Sequence, residues 1–164
     1  MRAVVVVPPD PLITTAQAKK HLRVEHGDDD EYIADLVAVA TGWLDGPEGW
    51  LGRALGLQTL ELVTPAWAWA SDRRLPLPPL VEIVSETAAA DERSTTVRFV
   101  AGYGFTGDGD EKKWLGPAPI RHAILLMVGH LYANREAVTS SQAKPEQLPM
   151  GVEALLSNTR VMSV

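Results

Sequence analysis

The sequence of 164 residues contains no cysteine. That excludes disulfides, thiolate nucleophiles and cysteine-bound metal. It also lacks any apolar run of the ~18 residues that a membrane-spanning helix needs. The stretch Ala3 to Val7 is apolar, but Pro8, Pro9 and Pro11 close it. It is too short for the hydrophobic core of a secretory signal, and it reads as an extended arm over residues 1–12. Basic charge is scarce too: 15 Lys and Arg stand against 21 Asp and Glu, a formal net charge of −6. Tight nucleic-acid binders neutralise phosphates with a basic surface, and this chain has no such footprint. Internal repeats and low-complexity blocks are absent.

The motifs that would announce chemistry are missing or incomplete. There is no H-E-x-x-H and no G-x-S-x-G. His21 and His26 lie near Glu25 and Asp28, which permits a metal site without specifying one. His122 and His130 share a helix face only loosely. Asp108, Asp110 and Glu111 lack the further oxygen ligands of a calcium loop. Gly102 to Gly107 matches G-x-G-x-x-G after a predicted strand, yet a dinucleotide site needs a helix starting inside the motif. Here the next helix waits for Pro117 and Pro119. No enzyme activity, metal or cofactor is therefore expected.

What the sequence does hold is enough apolar material for a core. Hydrophobic residues make up 46% of the chain, and a domain of this size buries roughly 68–70% of its unfolded surface. Thr14 and Gln17 have capping-box spacing, so a short helix starts there, carries Ala18 and Leu22 on one face, and ends near Gly27. Asp28 and Glu31 repeat the spacing within an acidic run suited to a helix N-terminus. Tyr32, Ile33, Leu36, Val37, Ala40, Trp43 and Leu44 then keep a helical period until Gly46-Pro47.

Leu57 to Val63 alternates as a strand, and Trp67 and Trp69 continue a period of two beyond Pro65. Leu75 to Pro79 is expected to be extended, because proline fixes its own φ and restricts its predecessor. Leu80 to Ser85 and Thr95 to Ala101 are further strands. Pro117 and Pro119 open a third helix. Its apolar residues Ile120, Ala123, Ile124, Leu125, Leu126, Met127, Val128, Leu131 and Tyr132 cover so much of the circumference that burial on several sides is expected. Thr139 to Pro149 reads as a polar linker. The apolar segment Met150 to Leu156 beyond it either docks on a partner or folds back on its own domain.

These elements predict a mainly α chain. Two N-terminal helices and one long buried helix form a bundle, with a small inserted antiparallel β portion at about 57–101 and an extended C-terminal tail. The expected organisation is an arm (1–12), one domain (13–138), and a linker with docking tail (139–164). Aromatic residues and arginine are enriched at interface hot spots, so Trp67, Trp69, Arg53, Tyr132 and Arg135 are the candidates for a subunit interface. Trp43 fits the core on its periodicity.

Four ordered segments together resemble the head–tail connector (adaptor) family of tailed bacteriophages and its relatives in gene transfer agents. The first is Ile13-Thr14 with Ala18 to Val24 and Asp28-Asp29-Asp30. The second is Thr41 to Leu44 with Gly52 to Leu55 and Gln58-Thr59. The third is Leu75 to Leu80 with Val97 to Gly104. The fourth is Pro117 to Leu126 with His130 to Tyr132, Asn134 to Ala137 and Leu148 to Leu156. Between Val84 and Thr95 the chain is shorter than the family pattern, which implies a reduced β portion.

The resemblance implies a structural, non-enzymatic subunit of a ring of about twelve copies matching the portal. The ring would sit in the virion neck, assembled in the host bacterial cytoplasm, between the portal protein and the next tail-side connector or stopper. DNA would pass through it without specific binding, and no membrane is involved. On that reading Leu148, Met150, Val152, Leu155 and Leu156 contact the portal. Asp108, Asp110 and Glu111, or Asp28 to Glu31, would line an acidic lumen that repels phosphate. Two other readings stay open: a monomeric protein-binding module that docks through Met150 to Leu156, and a small hydrolase built near His21 or His122.

Overall fold

Strict alternation in two segments lays down the centre of one sheet. In the computed structural model, which describes residues 3–109, 112–135 and 150–161, strands β2 (Gln58–Pro65) and β4 (Ser94–Ala101) pair antiparallel along their whole length, from Gln58 opposite Ala101 to Pro65 opposite Ser94. Side chains alternate between the faces of a strand. One face therefore collects Leu60, Leu62, Val97 and Phe99, all buried, with Leu60 opposite Phe99 and Leu62 opposite Val97. The other face carries Glu61 opposite Arg98, joined by an ion pair of 2.8 Å.

Strand β1 (Ala3–Val7) pairs antiparallel with β2, and β3 (Leu80–Ala88) pairs antiparallel with β4. The sheet order is β1-β2-β4-β3. Helices α1 (Thr15–Leu22) and α2 (Asp30–Gly42) lie between β1 and β2 in the sequence, and a short helix α3 (Ala66–Ser71) lies between β2 and β3. Trp69 from α3, with Leu75 and Leu77 from the proline-rich segment, packs on the buried sheet face.

This sheet, α3 and the loops around them form one compact unit: residues up to Asp10, Leu44–Gly104 and the chain from Val161. The other unit comprises Pro11–Trp43 and Phe105–Arg160. It holds α1, α2, α4 (Ala118–Ala133), α5 (Met150–Leu156) and a two-residue ladder of β5 (Phe105–Thr106) with β6 (Lys113–Trp114). Helix α4 packs on α1, α2 and α5. Its buried residues Ile120, Ala123, Ile124, Leu125, Met127 and Val128 span much of its circumference, as its composition predicts. Leu12, Ile13, Ala18, Ile33, Leu36, Val37, Ala40, Trp114, Val152 and Leu156 are buried in the same unit.

The expectation of a mainly α chain with a small β insertion is overturned. Among the described residues the chain is 35% helix and 27% strand, and it carries a four-stranded antiparallel sheet. The physical reason is non-local pairing. Ala3 to Val7 has no polar alternation, and it becomes a strand because it meets β2 far along the chain. β3 runs to Ala88, longer than its apolar stretch suggests, because β4 offers partners along its length.

Three local readings also change. Trp67 and Trp69 lie on a helix, where residues two apart point about 200° away from each other. Trp67 is accordingly 75% exposed and Trp69 only 6%. The Leu75–Pro79 segment bends rather than running straight, because Leu77 adopts φ 64°. Trp43, expected in the core, is exposed, because α2 ends at Gly42 and Trp43 is its C-cap.

Candidate functional site

Three groups of side chains stand out, one in the helical unit and two in the sheet unit. In the helical unit Thr14 caps α1 as its sequence predicts, its hydroxyl accepting from the Gln17 N–H at 3.2 Å. The reciprocal half of the capping box is not made: Gln17 Nε2 instead donates to the Lys112 carbonyl at 2.9 Å. Helix α2 departs further from expectation. Its N-cap is Asp29, whose side chain makes no capping bond. That carboxylate is engaged elsewhere. Tyr132 Oη donates to Asp29 Oδ2 at 2.5 Å and Arg135 Nη2 donates to the same oxygen at 2.8 Å.

The Arg135 guanidinium lies 4.8 Å from the ring centroids of both Tyr32 and Tyr132, a double cation–π stack. The Tyr132 hydrogen bond, with help from the Arg135 charge, holds the Asp29 carboxyl below its ordinary value of 3.8. The same bond raises the Tyr132 phenol, and the separate hydrogen bond from Arg135 to Asp29 raises the guanidinium. The arrangement places a cation at the C-terminal end of α4 and an anion at the N-terminal end of α2, each favoured by the helix dipole. It is a clamp between two helix ends. It positions no nucleophile.

In the sheet unit Trp69 Nε1 donates to Glu86 Oε2 at 2.9 Å, Arg73 pairs with Glu86 Oε1, and the Arg73 guanidinium stacks 4.9 Å from the Trp69 ring. A second polar centre is Asp45. Its Oδ1 accepts from the Leu55 N–H at 2.6 Å, and Gln58 Nε2 donates to both its oxygens at 3.1 and 3.2 Å. Burial raises the Asp45 carboxyl above its ordinary value, partly offset by those donated bonds. Asp45 carries no signal in the sequence pattern, and Asp29 reads there only as part of the acidic run Asp28 to Glu31, because the partners of both lie in other elements.

The interface candidates fall in different environments. Trp67 is open, whereas Trp69 is a core residue with an internal partner. Tyr132 and Arg135 are committed to the Asp29 clamp. Arg53 is half-buried and its carbonyl accepts from the Gly46 N–H at 2.9 Å. In the C-terminal segment Val152 and Leu156 are buried and Leu155 is half-buried. Leu148 and the side chain of Met150 lie outside the described residues. Of the acidic candidates Asp108 is exposed in the loop after β5, and Asp110 and Glu111 are outside the described residues. Within Asp28 to Glu31, Asp29 is clamped and Asp30 pairs with Lys19 at 2.6 Å.

His21 and His122 meet edge to face, with ring centroids 6.4 Å apart. Among the described residues no group of three or more His, Asp or Glu side chains is placed to hold a metal ion. The G-x-G-x-x-G segment has a structural use: the Gly102 N–H donates to the Pro79 carbonyl and the Tyr103 N–H to the Leu55 carbonyl, tying the end of β4 to its neighbours.

The feature that sequence reasoning missed is the surface of the outer strands. Every residue of β3 is exposed, as are Val4 to Val7 of β1. The large apolar members are Val4, Val5, Val6 and Val7 on β1 and Leu80, Val81, Ile83 and Val84 on β3. Isolated exposed apolar residues are ordinary, but contiguous runs mark interaction surfaces.

No protein-family model matches the sequence, and no curated protein matches it. Solved structures do match in fold. A chain in the virion of a native gene transfer agent particle superposes with a TM-score of 0.74 at 19% identity. A chain in the neck of an empty gene transfer agent particle, computed with C6 symmetry, gives 0.75 at 19% identity. A chain in the neck of a native particle, computed with C12 symmetry, gives 0.63 at 18%. Each comparison covers 100% of this chain and 97% of the other. The chain thus shares, over its full length, a fold found in the gene transfer agent neck.

Proposed function

We propose that this chain is a structural adaptor subunit of the neck of a gene transfer agent or tailed-phage particle. The observation that carries the reading is the full-length likeness of fold to chains of the gene transfer agent neck. In this reading copies of the chain form a ring of about twelve, by analogy with the C12 symmetry of one such neck. The ring sits between the portal protein and the next tail-side component and lets DNA pass. It assembles in the host bacterial cytoplasm and catalyses nothing. The net charge of −6 suits a lumen that repels phosphate, with exposed Asp108, and Asp110 and Glu111 beside it in sequence, as lumen candidates. The C-terminal segment meets the portal through Leu148, Met150 and Leu155, while buried Val152 and Leu156 anchor α5.

Negative-stain electron microscopy of the protein mixed with the portal protein of its own genome tests this. Portal rings should gain a further ring of density at the tail-facing end. Portals that stay bare across protein concentration and salt would overturn the adaptor reading.

A further inference from the structure

A subunit of a closed cyclic ring needs two different surfaces that fit each other, because each copy touches the next head to tail. The sheet supplies two such surfaces. Its outer strands are β1 and β3, and among the described residues neither has a ladder partner on its outer side. Natural proteins blunt a free sheet edge with charged side chains, above all lysine, with proline inside the strand, with β-bulges or with a cover. The inner ladders shift register between Val5 and Val7 of β1 and between Leu80 and Glu82 and between Ile83 and Ser85 of β3, and these bulges are milder than a charge or proline on the outer edge. Here β1 reads AVVVV and β3 reads LVEIVSETA, without a lysine, arginine or proline in either. Their large apolar residues are between 37% and 63% exposed. Such edges are templates for another strand.

Strand direction identifies which strand fits. β1 runs antiparallel to β2, β2 to β4, and β4 to β3. Four strands of alternating direction leave β1 and β3 pointing opposite ways. If a neighbouring copy continues the sheet in the same sense, its β1 arrives antiparallel to β3, the favoured hairpin-like ladder. Two β1 edges or two β3 edges could meet only through a two-fold axis between the two copies, and adjacent copies in a head-to-tail ring are not related by one. The charges agree, since β1 is uncharged and adds no repulsion to Glu82 and Glu86 of β3.

We infer that adjacent copies join by sheet extension, with β3 of one copy pairing antiparallel with β1 of the next. This rests on the ring reading and assigns its side-to-side contact, with Val4 to Val7 packing beside Leu80, Val81, Ile83 and Val84. Trp69, Tyr132 and Arg135, engaged within their own units, are then not the contact.

The test uses two variants of the full chain, Val4→Lys with Val6→Lys on β1, and Val81→Lys with Val84→Lys on β3. All four residues are exposed, so circular dichroism and the melting temperature should stay as in the wild type. Each variant alone should fail to form rings with the portal protein. Mixed without portal, the two should give a 1:1 dimer by light scattering, because one intact β3 meets one intact β1 and neither remaining edge can extend. Amide hydrogen exchange on wild-type protein supplies a readout that needs no substitution: β1 and β3 amides should gain protection on ring assembly. Rings from either variant, a dimer of one variant alone, or unchanged β1 and β3 exchange in wild-type rings would overturn the edge pairing and leave the adaptor reading standing. Wild-type protein that neither self-associates nor decorates portals would overturn both.

Discussion

Tyr132, in the last turn of α4, donates its phenolic hydrogen to Asp29, the residue that opens α2, at 2.5 Å. This bond and the Arg135 contact to the same oxygen hold two helix ends together, and they set the first prediction. A carboxyl held below its ordinary value stabilises the fold above that value, and the contribution is lost as pH falls through the lowered one. Asp29→Asn should therefore lower the melting temperature at neutral pH. The gap to wild type should be flat above pH 3.8, the ordinary carboxyl value, and close below it. Urea titrations of both proteins across the acid range check this. A gap that persists unchanged into strong acid would rule out the charge as its source.

Asp45 predicts the opposite slope. Burial raises its carboxyl, so the stability it contributes is greatest below 3.8 and declines as pH rises through the raised value. Asp45→Asn can keep the bond from the Leu55 N–H, and the Gln58 amide can turn to present its oxygen. Wild type should thus lose ground to Asp45→Asn as pH rises. Asp45→Ala leaves the Leu55 N–H and the Gln58 amide without their acceptor, at a cost of about 1–3 kcal/mol. Chemical denaturation of the three proteins at two pH values measures both effects.

The tryptophans of α3 should separate cleanly. Trp67→Ala, at an exposed position, should change stability by no more than about 0.5 kcal/mol. Trp69→Phe keeps the ring against the sheet but loses the bond to Glu86, which should cost about 1 kcal/mol. Phe99→Ala, deeper on the same face and fully buried, should cost about 3–5 kcal/mol. Melting curves rank the three, and a Trp67 effect as large as that of Phe99 would contradict the placement of α3.

The parts of this fold legible in the sequence are those whose signal is local. Thr14 caps α1, Pro117 and Pro119 open α4, and alternation marks β2 and β4. What escaped depends on partners far along the chain. Ala3 to Val7 looks like an arm until β2 is placed beside it. Leu80 to Ser85 reads as a strand, but nothing within it reveals the extension to Ala88 or an edge with both faces open, since strand order is a property of the whole sheet. Asp29 reads as part of an acidic run at a helix N-terminus or facing a lumen, because Tyr132 and Arg135 lie 103 and 106 positions away. The interface expectation for Trp69, Tyr132 and Arg135 rests on residue type, and type alone cannot separate an internal aromatic–arginine stack from one offered to a partner.

Gly102 decides between a structural and a ligand-binding reading of the G-x-G-x-x-G segment. It adopts φ +116°, and a Cβ there would sit 2.0 Å from the Gly56 carbonyl oxygen, a backbone atom that cannot turn aside. Gly102→Ala should therefore destabilise the sheet unit by at least the ~1–3 kcal/mol of a strained backbone position. Gly104 meets only Leu57 Cδ1 at 3.6 Å, an ordinary contact, so Gly104→Ala should be close to neutral. Were the segment a phosphate cradle, both substitutions would abolish nucleotide binding and spare the fold. Denaturation curves of the two variants, with a titration of wild type by ATP and NAD, separate the readings. Loss of stability confined to Gly102→Ala, with no nucleotide-dependent shift in wild-type melting, is the expected result. A nucleotide-dependent shift would return the segment to the ligand-binding class, and equal stability of the two variants would refute the steric role of Gly102.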